Sequence, residues 1–561
     1  MMGFLPPGLI LVAGALLIPL TRGRVREGVV LGLPLLTLVA VWTMAEGHSV
    51  TFPFLEYTLE PVRWSATGRV FATVFSIMAF AGGLYALRTA RTLELAAAFA
   101  YAGSAVGVTF AGDLVTLFVF WELMAVGSTL VLWASDQPGA YGASIRYLLI
   151  HLLGGVVLMV GVTWHIQATG SVTFGAMTPD TLATQLILAG FLINAGAPPL
   201  SAWIADAYPE ASASGMVFLS AFTTKTAVYT LIVGFPGARI LIFVGLYMAV
   251  YGIVYALLEN DMRRILAYSI VNQVGFMVTG VGIGTEMALN GATAHAFTHI
   301  IYKALLLMSA GSVLYMTGKR KCTDLGGLFR TMPVTAIAGG IGALAISSFP
   351  YTSGFISKSM INQAAADEHI ALAWFVLTAA SAGVFLHAGI KFPWFVFFQK
   401  DSGLRPSDPP WFMRWPMWLF AFFCIALGVF PGPLYEIMPY PVEYVPYTAS
   451  HLVSQFQLLL FAGLAFFVLL PLMKRTLTIS LDFDWFYRVF GVGAARVATV
   501  VVGRTVEGTK GAMKSSVSAG RSWLETHHGP WGALARSWPS GSMVLWVAIL
   551  LMAYLAFYLS P

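Results

Sequence analysis

The sequence is poor in charge. Only 10% of its 561 residues are Asp, Glu, Lys or Arg, where a soluble globular chain carries about 25%. Hydrophobic residues make up 58% and the mean hydropathy is +0.79. That balance excludes a soluble enzyme, a disordered chain and a fibrous protein. Cysteine is nearly absent. Cys322 and Cys424 are the two present, too few for a disulfide scaffold or for a four-thiolate zinc or iron–sulfur site within this chain. No P-loop, dinucleotide-binding glycine fingerprint or haem-attachment motif is found, so no cofactor is implied. The net charge is +6. In a membrane protein such an excess belongs to cytoplasmic arginines and lysines facing anionic lipid, and it does not point to nucleic acid.

What the sequence has is long apolar runs. A spanning helix needs about 20 apolar residues. Runs of that kind fall near 4–20, 28–44, 68–87, 92–110, 114–134, 143–167, 182–204, 213–235, 238–257, 264–283, 286–316, 332–364, 369–398, 414–432, 450–473 and 542–559. The first, from Phe4 to Leu20, has no basic region ahead of it and no small-residue cleavage site, so it reads as a retained span. The expected fold is an all-α polytopic membrane protein with about 14–16 transmembrane helices.

The loops alternate in sign. Odd loops hold Arg22, Arg24 and Arg26; Arg88 and Arg91; Arg263 and Arg264; Lys319, Arg320 and Lys321; Lys400 and Arg405; Lys474 and Arg475. Even loops hold Glu46, Glu56, Glu60, Asp180, Glu286, Asp367, Glu368, Glu436 and Glu443 and few basic residues. By the positive-inside rule the odd loops are cytoplasmic and the N-terminus is periplasmic.

Two spans carry breakers. Gly196, Pro198 and Pro199 interrupt one, and Pro350, Ser353 and Gly354 another. Each is followed by a helix with one lysine, Lys225 and Lys391. The offset is five spans, and an odd offset inverts topology, so two inverted five-helix repeats are expected. The chain divides into N-terminal transmembrane helices (1–90), a first repeat (91–235), a second repeat (236–400), C-terminal transmembrane helices (401–475), an amphipathic segment (476–540) and a final span (541–561). From Ser480 to Trp538 the chain reads as too polar to span. Arg488, Arg496, Arg504, Lys510, Lys514 and Arg521 alternate there with apolar residues, as in a helix lying on the cytoplasmic face against anionic lipid. It is either a lateral strap against a neighbouring subunit or a linker to the last span.

Ionisable groups inside hydrocarbon are costly and mark ion pathways by default. Glu122 lies between apolar neighbours in Phe118–Met124, and Lys225 lies mid-span. His295, His299 and Lys303 recur every four residues and share one helix face. Histidine titrates nearest to physiological pH, so this stripe suits a proton wire. A histidine pair at this spacing also suits zinc, but no third ligand is near in sequence and Lys303 would repel the ion, so no metal is expected. Lys358 follows the second break and suits the external end of a path. Lys391 belongs either to the path or to the interface. His151 reads as a packed histidine bonded to a backbone carbonyl. Together these groups have the chemistry of a proton relay, not of redox catalysis.

Several of these residues stand in motifs that resemble the antiporter-like subunits of respiratory complex I. Phe120–Met124 resembles their fifth-helix motif. Glu259–Ser269, followed by Gln273–Met277, His299–Leu306 and Gly354–Lys358 also resemble stretches of that family, in order. Ala221–Leu231 is similar to the D-type component of the Mrp-type multi-subunit Na⁺/H⁺ antiporters. The resemblance covers roughly residues 65–400. It implies fourteen or more helices with inverted repeats. It implies that Glu122 is the fifth-helix acid, Lys225 the central lysine, His299 and Lys303 the linking pair and Lys358 the exit lysine. It also implies other antiporter subunits as partners, protons and Na⁺ as cargo, and a bacterial inner membrane as location. Family members with a lateral helix and an extra final span favour the strap. One position departs: the family lysine that pairs with the fifth-helix acid is replaced by Asn194, five residues before Pro199. The resemblance leaves two alternatives. One is a pumping subunit of a redox-driven complex related to complex I, and the other is a proton-conducting partner of a cytoplasmic enzyme of inorganic-carbon accumulation.

Overall fold

A computed structural model describes residues 6–471, 482–532, 534–535 and 539–559. Phe4, Lys474, Arg475, Ser480 and Trp538 lie outside the described residues. The chain forms two units, Met1–Asp484 and Trp485–Pro561.

The first unit opens with α1 (Gly8–Leu17) and α2 (Gly23–Thr43). An antiparallel hairpin of β1 (Ser49–Phe54) and β2 (Tyr57–Arg63) follows, a departure from the all-helical expectation. Next come α3 (Ala66–Ala86), α4 (Thr92–Phe110), α5 (Leu114–Trp133), α6 (Ala140–Thr169) and α7 (Leu182–Ala195). Two short helices, α8 (Trp203–Ala207) and α9 (Gly215–Leu219), lead into α10 (Thr223–Gly234), α11 (Ile240–Leu258), α12 (Met262–Ile283) and α13 (Glu286–Thr317). Then follow α14 (Pro333–Ile346), α15 (Ser353–Asp367), α16 (Ala371–Val384), α17 (Trp411–Val429), α18 (Gly432–Tyr435) and α19 (Ala449–Leu469). Between α16 and α17, Phe385–Lys391 and Trp394–Phe398 are wound as π-helix on either side of Pro393. Fourteen described helical stretches across both units are long and apolar enough to cross a membrane. Apart from the β1–β2 hairpin, this is a multi-pass membrane protein of the all-α class.

Local sequence explains the ends that matter for the interior. Asp113 caps α5 by accepting from the Thr116 N–H at 2.7 Å. Thr181 and Thr184 form a reciprocal capping box on α7. That helix stops at Gly196, whose φ of +78° suits glycine, and Pro198 and Pro199 follow. α14 ends at Ile346, and Ser348 and Tyr351 take positive φ before the chain re-enters helix at Ser353. Counted from α4, the fourth crossing stretch is interrupted between Ala195 and Trp203. Counted from α11, the fourth is interrupted between Ile346 and Ser353. A third interruption, Ser220–Phe222 between α9 and α10, falls inside the stretch expected to be one helix over 213–235.

At the centre stand α12, whose apolar stretch is buried throughout, and α13, 32 residues long. Around them the outer faces are apolar. Val119 and Val126 of α5 and Leu152 and Val156 of α6 are exposed, as a lipid- or subunit-facing belt requires.

The second unit holds a π-helical turn at Phe486–Phe490, α20 (Gly491–His528) and α21 (Ser540–Tyr558). No residue of α20 or α21 is buried. Contrary to the expectation that this region is too polar to span, Phe486–His528 contains a stretch apolar enough to cross. The apolar valines crowd into its first half, and the polar residues that lower the average lie further along. At 43 residues and about 1.5 Å per residue it is about twice as long as a hydrocarbon core is thick.

Candidate functional site

The site is assembled where helices break. Lys225 sits on the first turn of α10 and is fully buried. Its Nζ donates to the Ser220 carbonyl at 2.7 Å and to Thr224 Oγ1 at 3.0 Å. Ser220 lies in the gap between α9 and α10, so the ammonium occupies a carbonyl that the interruption sets free. Tyr101 of α4 fills the same gap. The Thr223 N–H donates to its hydroxyl at 2.9 Å, and Thr223 Oγ1 lies 2.6 Å away.

Lys358 repeats this arrangement. It lies on the second turn of α15, and its Nζ donates at 2.9 Å to the carbonyl of Ile346, the last residue of α14. The ammonium also lies 5.0 Å from the centre of the Phe276 ring. Lysines near the last carbonyls of a helix meet the negative end of its dipole.

Between them runs the stripe on α13. His295 places Nδ1 3.1 Å from Ser357 Oγ and Nε2 3.2 Å from Gln273 Oε1. Tyr302 donates to the same Gln273 oxygen at 2.9 Å. His299 is fully buried, and neither ring nitrogen has a partner. Its ring centre is 6.2 Å from that of His295 and 5.2 Å from that of Tyr302. Lys303 donates to Ser269 Oγ of α12. Lys225, Lys303, His295 and Lys358 all lie within electrostatic reach of His299. Five of the residues read from the sequence, Lys225, His295, His299, Lys303 and Lys358, are therefore brought into one buried group. Lys225, Lys303 and Lys358 form no ion pair among the described residues.

Two of the seven stand apart. Glu122 is half-buried on α5 and bonds to none of this group, with its Oε1 unpartnered. Lys391 is buried at the end of the π-helical turn, where its Nζ donates to the carbonyls of Ala256, Leu257 and Glu259 at 3.2, 2.6 and 2.6 Å. It thereby ties the last turn of α11 to the π-helical turn. Lys391→Met strands these carbonyls and is expected to cost about 1–3 kcal/mol. Thermal unfolding of the purified protein should show the lower midpoint, and an unchanged midpoint would refute the capping role.

Several residues escape a reading by sequence. Tyr101, Gln273, Ser269 and Ser357 are uncharged, and only their three-dimensional partners single them out. His387 is buried in the π-helical turn, its Nδ1 2.8 Å from the Gly383 carbonyl and its Nε2 unpartnered. Lys303, Lys358 and Lys391 lie within its electrostatic reach. A signal for it exists in the sequence: a histidine four residues before a lysine in an apolar span, like His299 before Lys303.

Such a molecule is a polytopic helical membrane protein with a buried group of ionisable side chains whose lysines make no ion pair among the described residues. Comparison with known proteins shows what it resembles. Residues 111–385 match the NADH:quinone oxidoreductase/Mrp antiporter transmembrane family, so that stretch is similar to those antiporter-like membrane subunits. The probable K⁺/H⁺ antiporter A/B component of Rhizobium meliloti is 28% identical over 359 residues, 59% of this chain and 36% of the relative. The D component of the Na⁺/H⁺ antiporter of Alkalihalophilus pseudofirmus is 31% identical over 272 residues, 45% of this chain and 55% of the relative. The chain thus spans only part of the length of these relatives. Among solved structures, a chain of the membrane-bound sulfane sulfur reductase, an archaeal respiratory membrane complex, shares the fold with a TM-score of 0.72. It does so at 22% identity over 98% of this chain and 99% of that one.

Proposed function

We propose that the chain is the proton-translocating subunit of a multi-subunit monovalent cation/proton antiporter, with Na⁺ as the cation, in a bacterial inner membrane. The observation that carries this reading is the burial of Lys225, Lys303 and Lys358 without an ion pair among the described residues. A charge without a counter-charge in hydrocarbon is retained where it is used. Protons pass between Lys225 and the α13 stripe, along His299, Lys303 and His295, and leave through Lys358. Glu122 and Lys391 stand at the ends of the path. Each lysine rests on a helix-end carbonyl or a hydroxyl, neither of which holds its proton as a carboxylate would, so the proton can be handed on. His299, with both nitrogens unpartnered, is the member free to accept from either side.

The two interrupted stretches support inverted five-helix repeats over 91–235 and 236–400. In this reading the N-terminus is periplasmic and α20 lies along the cytoplasmic face. Its arginines and lysines meet anionic lipid there, and it straps a neighbouring subunit.

Everted vesicles carrying the complete assembly provide the test. A preset pH gradient should collapse on adding NaCl and persist on adding choline chloride. A second reading, outward pumping driven by redox partners, is favoured by the likeness to a respiratory-complex chain over 98% of the length. No sodium response, with proton uptake on adding an electron donor, would replace the first reading with the second.

A further inference from the structure

Glu122 is outside the buried group, and its surroundings have a chemistry of their own. Its Oε1 packs against Gly155 of α6, where a Cβ would lie 2.0 Å from that oxygen. On the preceding residue, Gly154, a Cβ would lie 3.5 Å from Asn194 Oδ1 of α7. His151 stands one turn earlier. Positions 151, 154 and 155 share one face of α6 by their spacing. α5 and α7 both pack on α6, and the Trp121 and Phe191 rings of α5 and α7 lie 5.3 Å apart. The glycines leave the floor of the junction without side chains.

The polar atoms around this floor are unsatisfied. Asn194 is 1% exposed, and neither its Oδ1 nor its Nδ2 has a partner. His151 is also 1% exposed. Its Nδ1 lies 2.9 Å from the Tyr147 carbonyl. A carbonyl only accepts, so Nδ1 carries the hydrogen, and in the neutral ring Nε2 is an acceptor, likewise unpartnered. Glu122 Oε1, Asn194 Oδ1 and His151 Nε2 are thus three acceptors without donors, the first two over adjacent glycines of α6 and the third on the same helix one turn before them. Trp121 Nε1 of α5 and Asn194 Nδ2 of α7 are unpartnered donors. Water alone would satisfy the hydrogen bonds but would leave the carboxylate charge uncompensated. Glu122 has no ion pair among the described residues.

We propose that the junction of α5, α6 and α7 binds a partly hydrated monovalent cation of the sodium class. The Glu122 carboxylate and Asn194 Oδ1 are its protein ligands, and His151 Nε2 accepts from a water in its shell. Carboxylate, amide carbonyl and water are the ligands that hard cations take. One carboxylate balances one positive charge, whereas a divalent ion would leave a net charge in a half-buried site lined by the buried Asn194 and His151. The inference rests on the antiporter reading only for what the bound ion does, since binding is measured without transport.

The test is labelling of Glu122 by dicyclohexylcarbodiimide in the purified, complete assembly, followed by mass spectrometry. The reagent attacks a protonated carboxyl group, and a bound cation keeps Glu122 deprotonated. At fixed pH and ionic strength, replacing choline chloride by NaCl at about ten times the dissociation constant slows labelling about tenfold. Asn194→Leu should still label in choline, which shows that Glu122 remains intact and reachable, but should lose the sodium protection. Equal labelling in sodium and choline, or full protection in Asn194→Leu, would overturn the site and leave a hydrated junction only. If the wild type resists the reagent in choline, equilibrium binding of radioactive sodium decides: Glu122→Gln should lose one site, and equal binding would overturn the proposal. Sodium-driven collapse of a pH gradient without protection at Glu122 would sink this site alone. Protection without antiport would sink the transport reading alone.

Discussion

Lys225→Ala in an otherwise complete assembly should lower sodium-driven proton movement about 100-fold or more, the scale on which a positioned proton carrier contributes. The alternative role for Lys225 is to cap the Ser220 carbonyl. Lys225→Arg separates the two. A guanidinium satisfies a carbonyl as well as an ammonium does, but it does not release its proton in a protein. A capping role therefore predicts that the arginine variant transports normally. A relay predicts that it assembles and melts like the wild type yet transports as poorly as Lys225→Ala. Initial rates of pH-gradient collapse in everted vesicles, normalised to assembled complex, report the difference. Retention of more than half the wild-type rate by either variant would remove Lys225 from the path.

How much of this arrangement is visible in sequence depends on whether a residue stands out against apolar surroundings. Lys225, Lys358 and the His295–His299–Lys303 stripe do, because one charge in an apolar run needs no partner to be noticed. Their partners do not stand out. Tyr101 and Thr223 are 122 residues apart, and Lys391 and its carbonyls 132 to 135. Only the packed fold brings them together. Gly196 and Pro199 announce an interruption in α7, but Ser220–Phe222 contains neither glycine nor proline. That gap is held by Tyr101 and Lys225, tertiary contacts that override local helix preference. The β1–β2 hairpin escapes a sequence reading because its strands are short and flank a loop marked chiefly by its acidic residues. Helix α20 shows the reverse failure. Averaging over the whole polar stretch hides the valine-rich segment between Val489 and Val506.

The largest loss of stability is expected from Arg263→Leu, a residue that takes no part in the path. Arg263 is buried at the start of α12, and its guanidinium donates to three carbonyls of one chain segment. Nη1 reaches Pro209 at 2.9 Å and Ala211 at 2.7 Å, and Nη2 reaches Ser212 at 2.7 Å. That segment joins α8 to α9 with only a single 3₁₀ turn at Tyr208–Glu210. Leucine fills part of the volume but leaves the carbonyls buried without donors, at about 1–3 kcal/mol each. The sum is about 4 kcal/mol or more, a large share of a typical stability of about 5–15 kcal/mol. Arg320 also donates to Pro209, at 3.2 Å, and pairs with Glu210 and Asp261. It keeps a partial hold, so the damage should centre on 211–219. The segment leads directly into Ser220 and Lys225, so its loosening displaces the ammonium from the gap that holds it. Arg263→Leu should therefore accumulate poorly, unfold at lower temperature and transport weakly. Arg263→Lys, with one ammonium for three carbonyls, should fall between it and the wild type. Wild-type accumulation and melting in Arg263→Leu would show that the 209–212 segment is held by other contacts, and that the position of Lys225 does not depend on it.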